Sequence, residues 1–253
     1  MENITVSKDI IFMNDARFGR FNCQILFGII KDVECDFAYN MGIEPYSGTR
    51  CFIMYNESNP DIISFGDYRL MRLSVNGNNL LEWVFQFSHE YCHNLINGDF
   101  SGKVEGLSWF EETVCEIASI YQVRRIIRQY ETSNLEWQNL ICRTFFEKSG
   151  LYGLYLECYS PSQSFQQYQE EFLPLLSQNR QTSHSHESNR GLYRSLAKIM
   201  IPVFETNPHI WKMILHFGNL GKKHDIHQLF QDLISKASSD YKDSVIELYS
   251  MFP

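Results

Sequence analysis

The chain has 253 residues, 44% hydrophobic, 15% aromatic and 21% charged, with 22 basic against 30 acidic side chains and a net charge of −8. A chain of this size buries roughly 70 to 75% of its extended surface and needs no covalent staples, which excludes whole-chain disorder, collagen and coiled coil. The acidic balance opposes nucleic acid and anionic lipid as partners, and no apolar run approaches the ~20 residues of a membrane span.

In chain order, a helix is expected over residues 16–39, where Phe18, Phe21, Ile25, Ile29, Val33 and Phe37 make an apolar stripe after a cap at Asn14 or Asp15. Gly42 and Pro45 stop it. Short runs at 51–55, 61–65 and 69–75, rich in β-branched and aromatic residues and separated by turn formers, read as strands of a small, largely antiparallel sheet. Asn76-Gly77-Asn78-Asn79 breaks the last strand, and a helix runs over 80–96 until Gly98, with Asn79 and Glu82 in capping-box spacing. Ser108 and Glu111 repeat that spacing before a second long helix over 109–130. Further helices are expected at 135–147, 163–176, 190–204, 209–217, 226–237 and 240–251, with a polar surface loop over 177–189. No repeat of 20 to 50 residues is present. The expected fold class is α+β. A sheet-bearing N-terminal lobe (1–106) faces a mostly helical C-terminal lobe (107–253), the two forming one unit with a cleft between them.

The helix over 80–96 contains His89-Glu90-Tyr91-Cys92-His93, which fits HExxH. Spacing of four puts both imidazoles on one helix face a turn apart, so two ring nitrogens can converge on one Zn²⁺, with Glu90 in reach of an activated water. A catalytic zinc needs a third protein ligand and an open position. Glu112, nineteen residues beyond His93 in the first turn of the next helix, is the preferred carboxylate; Glu111 is its competitor. Glu116, a turn after Glu112, could accept the free N–H of a ligating histidine, its bland alternative being a solvated helix acid. One zinc per chain is expected.

This constellation resembles the gluzincins, the metallopeptidase clan that includes thermolysin and the aminopeptidase N and leukotriene A4 hydrolase group. The spacing HExxH-x18-E is that of the aminopeptidase group, whose WxNE segment is matched by Trp109-Phe110-Glu111-Glu112 except that Glu111 replaces Asn. The likeness covers residues 69–121 well and the rest loosely. It implies a zincin-like fold and peptide-bond hydrolysis, with Glu90 as general base. Glu116 is similar to the acidic position that supports a ligand in the thermolysin-like families. Gly191-Leu192-Tyr193 opens a helix as the oxyanion-binding tyrosine of the aminopeptidases does, although Leu196 stands where they have glycine; Tyr193 is the candidate, an ordinary helix aromatic the alternative, and His184 and His186 its rivals. The strand from Arg69 to Val75 occupies the place of the edge strand that pairs with an extended substrate. No GxMEN-like segment is present, so endopeptidase action on a peptide or protein is expected. The rival reading is a non-catalytic zinc-binding or interaction module of the same fold; hydrolysis of a non-peptide bond is a second.

Other candidates have plainer readings. His224-Asp225-Ile226-His227 at a helix start reads as a cap, Cys92 and Cys115 as core thiols, and Arg124, Arg125 and Arg128 as a solvated or carboxylate-paired face. The seven cysteines are widely spaced without a CxxC pair, which suits reduced thiols. The first residues lack a basic segment followed by an apolar one, so a cytoplasmic protein is expected; export without a cleaved signal is compatible with the same facts.

Overall fold

Burial alternates along the strand segments: Cys51, Ile53, Met71 and Leu73 are buried, whereas Phe52, Met54, Leu70 and Arg72 between them are half-exposed. That period of two fixes one inner face. The computed structural model describes residues 3–44, 50–96, 107–133, 186–220 and 225–252. In it β1 (Asn3–Thr5), β2 (Ile10–Met13), β3 (Cys51–Tyr55), β4 (Asp61–Phe65) and β5 (Tyr68–Leu73) form one sheet in the order β1-β2-β3-β5-β4. β1/β2 and β4/β5 are antiparallel; β2/β3 and β3/β5 are parallel.

The sheet is thus mixed rather than largely antiparallel. Gly66, at φ +59°, and Asp67 make a two-residue turn between Phe65 and Tyr68, which folds β5 back along β4 and inserts it beside β3. As a result Arg69 to Leu73, the strand part of the expected Arg69–Val75 edge, belong to an interior strand. Among the described residues the edges are β1 and β4.

The first long helix, α1 (Cys23–Met41), begins later than the apolar stripe indicates. Ala16–Phe18 form a single 3-10 turn capped by Asp15, whose side chain accepts from the Arg17 N–H. Gly19 then takes φ +75°, and a Cβ there would lie 2.3 Å from Asn76 Oδ1. Asn22 caps α1 by accepting from the Ile25 N–H, and Gly42 ends it in the left-handed region at φ +65°.

α2 (Leu80–Ile96) and α3 (Ser108–Glu131) follow the expected spans. Neither capping box forms. The Asn79 side-chain oxygen is buried without a hydrogen-bond partner, and the residue at the α3 cap is Leu107, which has no side-chain bond to offer. The chain continues with α4 (His186–Thr206), a 3-10 stretch (Pro208–Leu220), α5 (Ile226–Lys236) and α6 (Lys242–Ser250). Residues 186–189, expected in a loop, are the first turn of α4. The rest of that loop, with His184, the helices expected over 135–147 and 163–176, and the thiols Cys142 and Cys158 lie outside the described residues.

One contiguous core joins the inner face of the sheet (Phe12, Ile53, Met71) to α1 (Val33, Phe37), α2 (Trp83, Phe87), α3 (Val114, Ala118) and α4 (Phe204). Trp211 in the 3-10 stretch closes it, with ring centroids 5.1 Å from Phe37 and 4.6 Å from Phe204. The expected lobes therefore share their buried side chains. Cys23, Cys35, Cys51, Cys92 and Cys115 are free thiols. Among the described residues no helix is long and apolar enough to cross a membrane.

Candidate metal centre

α2 is held at its start and, a turn before His89, on the side that carries the histidines. The Trp83 indole donates to the Gly77 carbonyl at 3.0 Å, and the Gln86 carboxamide oxygen accepts from the Ser74 N–H at 2.9 Å, tying the helix to the segment that leaves β5. Val84, Phe87, Tyr91 and Cys92 are buried, so the opposite face carries His89 and His93. Their ring centroids are 5.1 Å apart with planes at 66°.

α3 packs along α2 and is pinned there by Ser119, whose hydroxyl donates to the Phe85 carbonyl at 2.9 Å. Burial pushes the Cys115 thiol far up, with Cys92 beside it between the helices; both are core thiols. This docking turns the first two turns of α3 toward the imidazoles. Glu112 Oε2 lies 3.4 Å from His89 Nε2, and Glu112 Oε1 lies 3.6 Å from His93 Nε2. One ligand atom from each of the three residues lies within 4.8 Å of the others. Between the two rival carboxylates, Glu112 is the one that faces both Nε2 atoms.

The other ring nitrogens also meet acids. Glu111 Oε1 is 2.8 Å from His93 Nδ1, a hydrogen-bond distance, and Glu116 Oε2 is 3.7 Å from His89 Nδ1, an ion-pair distance. Glu116 is 8% exposed at its side chain and is not a solvated acid. Its second oxygen accepts from Arg194 Nε at 2.7 Å, and that guanidinium lies 5.7 Å from the centroid of the Phe85 ring.

Burial alone would raise the Glu112 carboxyl, but the two imidazoles outweigh it and hold the group well below the usual carboxylate range. Burial likewise disfavours charge on His93, yet Glu111 and Glu112 raise it well above the ordinary histidine range. Glu90, 3% exposed, is pushed upward by burial; the two histidines oppose this, and the charges of Glu112 and Asp61 add to it. Glu90 is thus a buried carboxyl beside three groups, His89, His93 and Glu112, that could hold a metal ion.

Tyr193 is half-buried on α4, next to Arg194. His186 belongs to the first turn of that helix; His184 and His224 lie outside the described residues. Asp225 caps α5 by accepting from the His227 N–H, the plain role expected of that segment. Arg124 and Arg128 meet Glu205 at 3.0 and 3.2 Å, and Arg125 meets Asp32 at 3.0 Å, so the basic cluster is carboxylate-paired. Two contacts were not legible in the sequence. Arg194 reaches Glu116 through the packing of α4 on α3, which no local pattern encodes. The Glu111 contact depends on which edge of the His93 ring each neighbouring acid meets, although Glu111 standing where the resembled motif has Asn was a visible signal. Comparison with protein-family models, curated proteins and solved structures gives no match.

Proposed function

We propose that the chain is a zinc-dependent metallopeptidase of the gluzincin type, with a zincin-like arrangement in which His89, His93 and Glu112 hold one ion per chain. The convergence of two imidazole Nε2 atoms and one carboxylate beside buried Glu90 carries this reading. Two nitrogens and one oxygen are a donor set that suits Zn²⁺ and leaves a coordination position for solvent, as catalytic rather than structural zinc requires. When bound, such an ion supplies a Lewis acid that brings the acidity of a water close to neutrality and polarises a carbonyl.

Glu90 accepts the proton that this water gives up as its oxygen attacks the peptide carbonyl carbon, and returns it to the leaving amine as the C–N bond breaks. Glu116 holds the His89 ring in orientation and is itself held by Arg194. Tyr193 is assigned to the oxyanion. The substrate is a peptide or protein cleaved internally. The edge that serves an extended substrate is β4 rather than β5, because β4 is the end of the sheet and its first residue, Asp61, is close enough to influence Glu90.

The test is Glu90→Gln with metal content and peptide-library cleavage measured together. Zinc should stay at one per chain while cleavage falls by about 10³-fold, within the usual range for loss of a general base. Zinc bound stoichiometrically by a wild-type protein that cleaves no peptide would instead support the non-catalytic zinc-binding module.

A further inference from the structure

We infer that Glu111 is a positioning residue of the metal centre, which acts through His93 and whose negative charge sets how tightly the site holds its ion. This role rests on the metal-site reading above but not on peptide hydrolysis.

Glu111 Oε1 sits 2.8 Å from His93 Nδ1, whereas Glu112 approaches the same ring from its other edge, 3.6 Å from Nε2. Neighbouring residues on a helix are about 100° apart, so two successive acids can address opposite edges of one imidazole. With an acceptor at Nδ1 the ring carries its proton there and presents Nε2 as the electron-pair donor. The contact is partly shielded from water: the side chains are 12% and 26% exposed for His93 and Glu111. The two ligating rings are backed unequally. His89 has Glu116 at the longer 3.7 Å, and Glu116 also engages Arg194.

A neutral amide at position 111 would fix the same ring proton. The carboxylate adds a full charge. On the first turns of α3 that charge stands beside those of Glu112 and Glu116, on the side of the proposed ion. Without the charge of Glu111 the His93 nitrogen is a poorer electron-pair donor and the ion is held less tightly.

The test measures zinc affinity by chelator competition for the wild type, Glu111→Gln, Glu111→Ala and Glu112→Gln, with ¹⁵N spectra of the histidine rings in the zinc-loaded proteins. Removal of a partner behind a ligand typically weakens metal binding by 10 to 100-fold. Glu111→Gln should therefore lose about tenfold while keeping the proton of His93 on Nδ1, and Glu111→Ala should lose about a hundredfold. Glu112→Gln should lose more than either. Wild-type affinity in both position-111 variants overturns the role. So does a loss in Glu111→Gln that matches or exceeds that of Glu112→Gln, which would make Glu111 a ligand. If the alanine variant does not fold, the near-isosteric glutamine variant decides the matter alone. Failure of the wild type to bind zinc defeats the metal-site reading as a whole, whereas graded zinc affinities without peptide cleavage defeat only the peptidase.

Discussion

At its C-terminal end α3 presents Arg124, Arg125 and Arg128 to carboxylates on other helices: Glu205 of α4, and Asp32 and Asp36 of α1. At its N-terminal end it presents Glu111, Glu112 and Glu116 to two imidazoles of α2, with Arg194 on the far oxygen of Glu116. Arginine stays charged at any pH a protein meets, so the first arrangement is balanced as built. The second arrangement sets three carboxylates against two imidazoles, with Arg194 as a fixed cation on Glu116. A divalent cation held by His89, His93 and Glu112, as proposed, would supply the missing positive charge. The two ends differ in the same way that a structural ion-pair network differs from a site with an exchangeable charge.

Glu34 shows a third way to accommodate a buried acid and gives the largest stability effect. It is 1% exposed; Ser7 donates to one oxygen at 3.0 Å and the other has no hydrogen-bond partner. Burial pushes its pKa up to about 7, with the charge of Asp9 adding to the rise and Ser7 and Lys31 opposing it. A proton, rather than arginine or a cation, is what neutralises it. Because the folded-state pKa is raised, this group's stabilisation is complete below the ordinary glutamate range and is lost as pH climbs through about 7. The displacement corresponds to about 3 kcal/mol. Glu34→Gln should accordingly be more stable than wild type at pH 8 by up to that amount and should lose the pH slope, as read from denaturant melts at pH 5 and pH 8. A variant with an unchanged slope would place the titration elsewhere.

The site was largely legible because HExxH is a local pattern: four-residue spacing, one face, one helix whose span is set by its own apolar residues and whose start follows Asn76 to Asn79. Glu112 was legible for the same reason, as a carboxylate in the first turn of the next helix. What the sequence left open was non-local. Nothing in residues 69–73 states that β5 lies between β3 and β4, since strand pairing is decided by partners elsewhere in the chain. Ile10–Met13 is a four-residue apolar run, too short for periodicity to distinguish a strand from a buried turn. The helix stripe from Phe18 onward was misleading because Phe18 and Phe21 belong to an aromatic cluster with Phe12 and Trp83, not to α1. The glycine at position 19, needed for its positive φ and its close approach to Asn76, breaks the helix in between.

At the balanced end of α3, Arg125→Met should cost about 2 kcal/mol, the loss of one partner from a mostly buried pair. Arg125 donates to Asp32 at 3.0 Å and to the Gln122 and Gln129 carboxamides at 2.8 Å each, while Gln122 in turn donates to Asp36. Burial already raises the Asp36 carboxyl and Arg125 restrains it, so in the variant Asp36 should rise further. An acid with a raised folded-state pKa destabilises as pH increases, and the cost should be larger at pH 8 than at pH 5. Zinc affinity should not change. Coupled loss of stability and zinc affinity would mean that the two ends of α3 are not separate systems.

Arg128→Ala should have the smallest effect, within about 0.5 kcal/mol, the usual range for an exposed pair. The Arg128 side chain is 65% exposed, against 13% for Arg124, and the Glu205 oxygen it approaches at 3.2 Å receives no hydrogen bond in the aligned sense. Arg124 Nη1 donates to the other oxygen at 3.0 Å and remains in the variant. If Arg124 alone suffices for Glu205, melts of Arg128→Ala will overlay those of wild type at low and high salt. A loss near that of Arg125→Met, diminishing with salt, would instead show that Glu205 needs both cations, and that even the ion-paired end of the helix is only just balanced.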